Sequence, residues 1–205
     1  MTILSVNKTR ELMGALALFF FVYGRGLRSF FVSGGISMTR KTRYIVHAAV
    51  LAALYVVLTH LQNILLPGSA TWAIQFRASE ALCVLALFTP AAIPGLTVGC
   101  LLFNITYVNA LPLDTVVGSF ATLLACGAMY LTRNVKVKQF PAPAMVMPAL
   151  FNALLVGWEL TVYIGGGFWL NALYVAIGEL GVLLTLGSIL YVAIRRRGLD
   201  KRLFG

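Results

Sequence analysis

The sequence predicts an all-α integral membrane protein of six transmembrane helices with both termini cytoplasmic. Three observations predict it: long apolar runs, a scarcity of charge, and basic clusters at the ends of the runs. Of 205 residues, 60% are hydrophobic and only 11% are charged, against roughly 25% charge in a soluble domain. Such a chain cannot bury its apolar surface in one soluble core, so the bilayer acts as solvent. The net charge of +10 does not point to nucleic acid, because the basic residues flank apolar runs, where they set topology.

The apolar runs are taken in order. Residues 1–37 are read as an N-terminal extension or a mis-assigned start, outside the fold, with Met38 as the expected beginning. Their run from Leu12 to Tyr23 is too short to span a bilayer, and Val32-Ser33-Gly34 is a poor signal-peptide cleavage site. The fold is expected over 38–205 as one membrane domain. Its first span is Tyr44–Leu66, followed by a polar, aromatic loop, Pro67–Arg77. Ala81–Phe103 is apolar but broken by Thr89-Pro90 and Pro94-Gly95. Leu113–Thr132, Ala144–Ile164 and Phe168–Ile194 complete the set.

Charge decides whether Ala81–Phe103 is one span or two. The basic clusters are Arg40/Lys41/Arg43, Arg133/Lys136/Lys138 and Arg195–Arg202. All three share the cytoplasmic side only if an even number of crossings separates each pair. That requires a hairpin turning at Thr89–Gly95, where proline can start a helix but not continue one. Each arm has about 13 to 16 residues, roughly 20–24 Å at 1.5 Å per residue, and needs shelter from its neighbours.

With this topology the acids gather. Glu80, Asp114, Glu159 and Glu179 all fall in the outer half of the helical region. Charge inside a bilayer is costly and marks function by default. The candidate site is therefore Glu159, Glu179, Glu80, Asn152, Arg77, Trp158, Tyr163 and Asp114, with Trp169 and Asn171 close by. Asn152 and Glu159 are seven apart and share a helix face. Carboxylates mixed with aromatics suit a flat heterocycle with N–H donors on its edge. Blander readings stand beside this one. Asp114 also fits a helix N-cap, Glu80 also fits an i,i+3 partner of Arg77, and Trp72 and Trp169 fit an interfacial belt. Cys83, Cys100 and Cys126 make no CxxC pair, no His stands at metal-ligand spacing, and no metal is expected. An enzyme is not expected either, since the acids have no readable nucleophile or base partner. There is no GxxxxGK[ST] loop for ATP. The first span carries small residues in two registers, Ala48/Ala52 and Ala49/Ala53, a spacing that lets helices approach closely in lipid.

Ile74-Gln75-Phe76-Arg77-Ala78-Ser79-Glu80-Ala81-Leu82, Leu87-Phe88-Thr89-Pro90-Ala91-Ala92-Ile93-Pro94-Gly95-Leu96 with Val98-Gly99-Cys100, and Leu113-Asp114 with Gly118-Ser119-Phe120-Ala121-Thr122-Leu123 resemble the QueT family. The likeness runs from about Met38 to the last span. These are the substrate-binding S components of energy-coupling factor (ECF) importers. The resemblance implies a multi-pass protein of the cell membrane that captures a queuosine precursor, a 7-deazaguanine such as 7-aminomethyl-7-deazaguanine or queuine. It implies partners too: a transmembrane coupling protein and two ATPases that use the ATP, with no cofactor bound by this chain. Docking on that module implies an Ala-x-x-x-Ala surface, here Ala48/Ala52 or Ala49/Ala53, and Pro67–Arg77 as a cover over the pocket. The alternatives are an S component for another vitamin such as cobalamin, or a stand-alone carrier.

Overall fold

The computed structural model describes residues 39–66, 76–107 and 110–200. The expected extension over 1–37, the start at Met38, Trp72, most of the Pro67–Arg77 loop, and Arg202 lie outside the described residues. Two compact units are present: Tyr44–Tyr191, and the flanking ends on either side of it. In the flanking unit, Thr39 Oγ1 accepts the Thr42 amide at 3.2 Å, capping a helix start that has no intrahelical acceptor. There too, Arg195 pairs with Asp200 at 3.3 Å.

The described residues are helical throughout, apart from turns and one isolated bridge between Val137 and Phe140. Helix α1 is Arg40–Leu65. A 3-10 helix, Ala78–Leu87, follows. Then come α2, Ala92–Thr106, α3, Asp114–Thr132, and α4, Ala142–Ile164. The last rod is α5, Phe168–Val182, a π-helical turn, Leu183–Gly187, and α6, Ser188–Arg196. Four rods are long and apolar enough to cross a membrane: Arg40–Leu65, Asp114–Thr132, Ala142–Ile164 and Phe168–Arg196.

The expected break in Ala81–Phe103 is present, and it falls at Phe88–Ala91. Pro90 lies in the turn, while Pro94 sits in the first turn of α2, where its missing amide costs no hydrogen bond. At about 2.0 Å per residue the ten-residue 3-10 helix is roughly 20 Å long, well under the ~30 Å of a bilayer core. It is not left to lipid. Every residue from Ala78 to Ala86 is buried, and the helix touches α2, α3, α4, α5 and the π-turn. Neighbouring helices supply the shelter that so short an element requires.

Helix α1 meets α2 through small residues on both sides. A Cβ placed on Gly95 would lie 2.6 Å from the Ala48 carbonyl oxygen, and one on Gly99 would lie 2.9 Å from that of Ala52. The Ala48/Ala52 register is therefore spent inside the bundle, with Ala52 buried, while Ala49 and Ala53 are exposed.

Polarity is distributed the opposite way from a soluble protein. Val57, Ile64, Ile105, Val116 and Leu131 face outward. Glu80, Asp114, Glu159, Glu179 and Arg77 are all buried. Apolar side chains on the outside and charges inside are what lipid as a surrounding solvent selects.

Candidate functional site

The 3-10 helix positions the first acid. Glu80 stands on it, fully inside the bundle. Tyr55 Oη, on the inner stripe of α1, donates to Glu80 Oε1 at 2.5 Å. Cys83 Sγ, one 3-10 turn onward, donates to Oε2 at 3.2 Å. The i,i+3 pairing of Glu80 with Arg77 is thus not the arrangement found. Both Glu80 oxygens are taken up by a hydroxyl and a thiol.

Arg77 instead forms an ion pair with Asp114: Nη2 lies 3.0 Å from Oδ2, and both side chains are almost wholly buried. Asp114 is the first residue of α3. The cap position is Leu113, and no side chain caps the helix, so the N-cap reading of Asp114 is replaced by the ion pair. Its acidic charge still lies at the positive end of the helix dipole. Asn104 of α2 donates to the Asp114 carbonyl oxygen at 2.7 Å. Gly118 makes room for this cluster: a Cβ there would lie 3.0 Å from Asp114 Oδ1 and 3.2 Å from Asn104 Nδ2.

The other two acids come from α4 and α5. Asn152 and Glu159 share the inner face of α4, two helical turns apart, and both are buried. Asn152 Nδ2 donates to Glu179 Oε1 at 3.0 Å. Glu179 sits one turn before the π-turn, and its carbonyl accepts the Leu183 amide there. Glu159 has no exposed surface at all. It is within Coulombic range of Asp114 and Arg77, and Glu179 is within Coulombic range of Glu80 and Arg77. Asp114 thus pairs with the guanidinium directly, while Glu80, Glu159 and Glu179 lie in its wider electrostatic neighbourhood.

Their oxygens are unequally used. Asp114 Oδ1, both Glu159 oxygens and Glu179 Oε2 are buried with no hydrogen-bond partner among the described residues. Asn104 Oδ1 is a fifth such acceptor. A buried acceptor without a donor costs about 1–3 kcal/mol, more when charged. The site as built can take up a ligand rich in N–H donors and positive charge. Among the described residues no group of three or more His, Cys, Asp or Glu side chains could hold a metal ion.

The expected aromatics are elsewhere. Trp158 is 50% exposed and Tyr163 41%. Successive helix residues are about 100° apart; Glu159 and Leu160 together define the buried face, and Trp158 falls on the outward side of it. Trp169 is exposed as well, and Asn171 donates to Thr161 Oγ1 and the Gly165 carbonyl, tying down the end of α4. The buried aromatic surface near Asn104 is instead Phe103, stacked with Tyr107 at 5.2 Å and edge-on to His60 at 5.0 Å.

Four contributors escaped the sequence reading: Tyr55, Gln62, Cys83 and Asn104. A trace of two was readable. Tyr55, Thr59 and Gln62 recur at helical spacing in an otherwise apolar span, a polar stripe on one face. Gln62 Oε1 accepts the Ala78 amide at 2.6 Å, and Gln62 Nε2 donates to the Phe76 carbonyl.

The family model described as QueT transporter matches residues 45–196. A relative from Lactococcus lactis subsp. cremoris (strain MG1363), the queuosine precursor transporter QueT, is 38% identical over 87 residues, covering 41% of this chain and 47% of the relative. The aligned part of the chain thus spans about half the length of that relative. No solved structure matches the chain. The family match runs from the sixth residue of α1 into α6 and takes in every buried acid of the cluster, so the chain belongs to the QueT transporter family.

Proposed function

We propose that the protein is the substrate-capturing S component of an ECF-type importer, and that it binds a queuosine precursor of the 7-deazaguanine class. One observation carries the reading: four carboxylates are buried in the bundle, one of them paired with Arg77, and four of their oxygens have no donor among the described residues. A 7-aminomethyl-7-deazaguanine offers the complement, a guanine-type N–H edge and an ammonium group. Glu159, with both oxygens open, is assigned to the edge, where a carboxylate accepts two parallel hydrogen bonds. Glu179, oriented by Asn152, is assigned to the ammonium. The Arg77–Asp114 pair and the Tyr55–Glu80 pair hold the far side of the site. Charge-assisted bonds of about 1.5–3 kcal/mol each support affinity below micromolar once the ring is also packed.

The basic clusters support six crossings with both ends cytoplasmic, in the cell membrane. With no phosphate-binding loop in this chain, the ATP is used by two partner ATPases, reached through a transmembrane coupling protein. Of the two small-residue registers on α1, Ala49/Ala53 is the docking surface in this reading, because Ala48/Ala52 is already packed against Gly95 and Gly99.

The test is calorimetric titration of the detergent-solubilised protein with 7-aminomethyl-7-deazaguanine, using queuine, guanine and cobalamin as comparators. Nanomolar to low-micromolar binding of a deazaguanine, with guanine much weaker, is expected. Binding of cobalamin alone would discard the queuosine assignment, and silence with all four would discard the capture role.

A further inference from the structure

We infer that Gln62 is a positioning residue for Arg77, and through it for Asp114. The inference rests on the proposed ligand site only for its binding readout. The chain enters the 3-10 helix at Arg77, whose extended backbone begins the helix without any side-chain cap of its own. The first amides of a helix have no intrahelical acceptor and need one from elsewhere. Gln62, sixteen residues earlier and on a different helix, supplies it: Oε1 accepts the Ala78 amide at 2.6 Å. Its Nε2 donates to the carbonyl of Phe76. One side-chain amide thus brackets Arg77 on both sides and holds its backbone from α1.

What hangs on that backbone is the ion pair with Asp114. A bidentate clamp at 76 and 78 restricts the residue whose guanidinium pairs with Asp114 of α3. Tyr55, two turns earlier on the same stripe, does the parallel task for Glu80. The inner face of α1 is therefore more than packing surface. It aims the only buried cation described in the bundle and one of the four acids.

The experiment is amide hydrogen exchange on the unliganded full chain in detergent, comparing wild type with Gln62→Met. The methionine keeps length and apolar volume and removes both hydrogen bonds. Expected are faster exchange over 76–80 and, with it, faster exchange in the first turn of α3 over 114–118. If exchange quickens at 76–80 alone, Gln62 is only a local cap and the inference falls. If Gln62→Met does not fold, Gln62→Glu, which keeps the acceptor for the Ala78 amide and loses the donor to the Phe76 carbonyl, is read in the same two windows: faster exchange in both supports the inference, and faster exchange at 76–80 alone overturns it. In the binding arm, Gln62→Met should weaken 7-aminomethyl-7-deazaguanine about ten-fold, and unchanged affinity would also overturn it. Should wild type not bind that ligand, the ligand assignment fails while the exchange result still judges Gln62.

Discussion

The two halves of the acid cluster are built on opposite principles. In the half formed by α1, the 3-10 helix and α3, charge is largely matched within the protein. Glu80 holds a hydroxyl and a thiol, and Arg77 faces Asp114 at 3.0 Å. In the half formed by α4 and α5, matching is incomplete. Glu179 has Asn152 on one oxygen, and Glu159 has no partner among the described residues. Equal burial thus hides unequal roles. Under the proposed function the matched half is a scaffold, and the unmatched half is where a donor-bearing ligand gains most.

The sharpest way to break this contrast is Arg77→Ala. It leaves Asp114 buried and unpaired, a loss of about 3–5 kcal/mol for a buried ion pair. Denaturant unfolding in detergent should show that loss without ligand present. Glu159→Gln tests the other half. Affinity for 7-aminomethyl-7-deazaguanine should fall by roughly 2 kcal/mol, about thirty-fold, while the unliganded protein melts no lower than wild type. A drop in stability like that of Arg77→Ala would place Glu159 in the scaffold instead. Tyr55→Phe removes only a hydroxyl. It should destabilise by about 1–2 kcal/mol, visible in the melting temperature, with a smaller effect on affinity than Glu159→Gln. Trp158→Phe should leave calorimetric affinity unchanged, since the ring lies outside the cluster, and weakened binding would restore it to the site.

The same contrast explains what could be read in advance. Four acids in an apolar chain were conspicuous one by one, because each is expensive in lipid. Their partners were not. Glu80 pairs with a residue 25 positions away, Arg77 with one 37 away, and Glu179 with one 27 away. A linear reading favours neighbours, so it offered Arg77 as the partner of Glu80 and a cap for Asp114. The placement of Trp158 was not legible from helical geometry alone. An inward Glu159 leaves either neighbour free to follow it inside, and it is Leu160, not Trp158, that is buried. Tyr55 and Gln62 were half-visible as a polar stripe, with nothing in the sequence to say what they touch.

By itself the sequence determined the apolar helices, the paired short arms around Pro90, and the concentration of acids in the bundle. These follow from composition and from periodicity, which are local and additive along the chain. Only the tertiary structure decided the 3-10 form of Ala78–Leu87, the break at Phe88–Ala91, the register of α1 that packs inward, and the division of the acids into matched and open. Those depend on which helices meet and at what depth. In a low-dielectric interior, a distance of a few ångströms separates a paired charge from an available one.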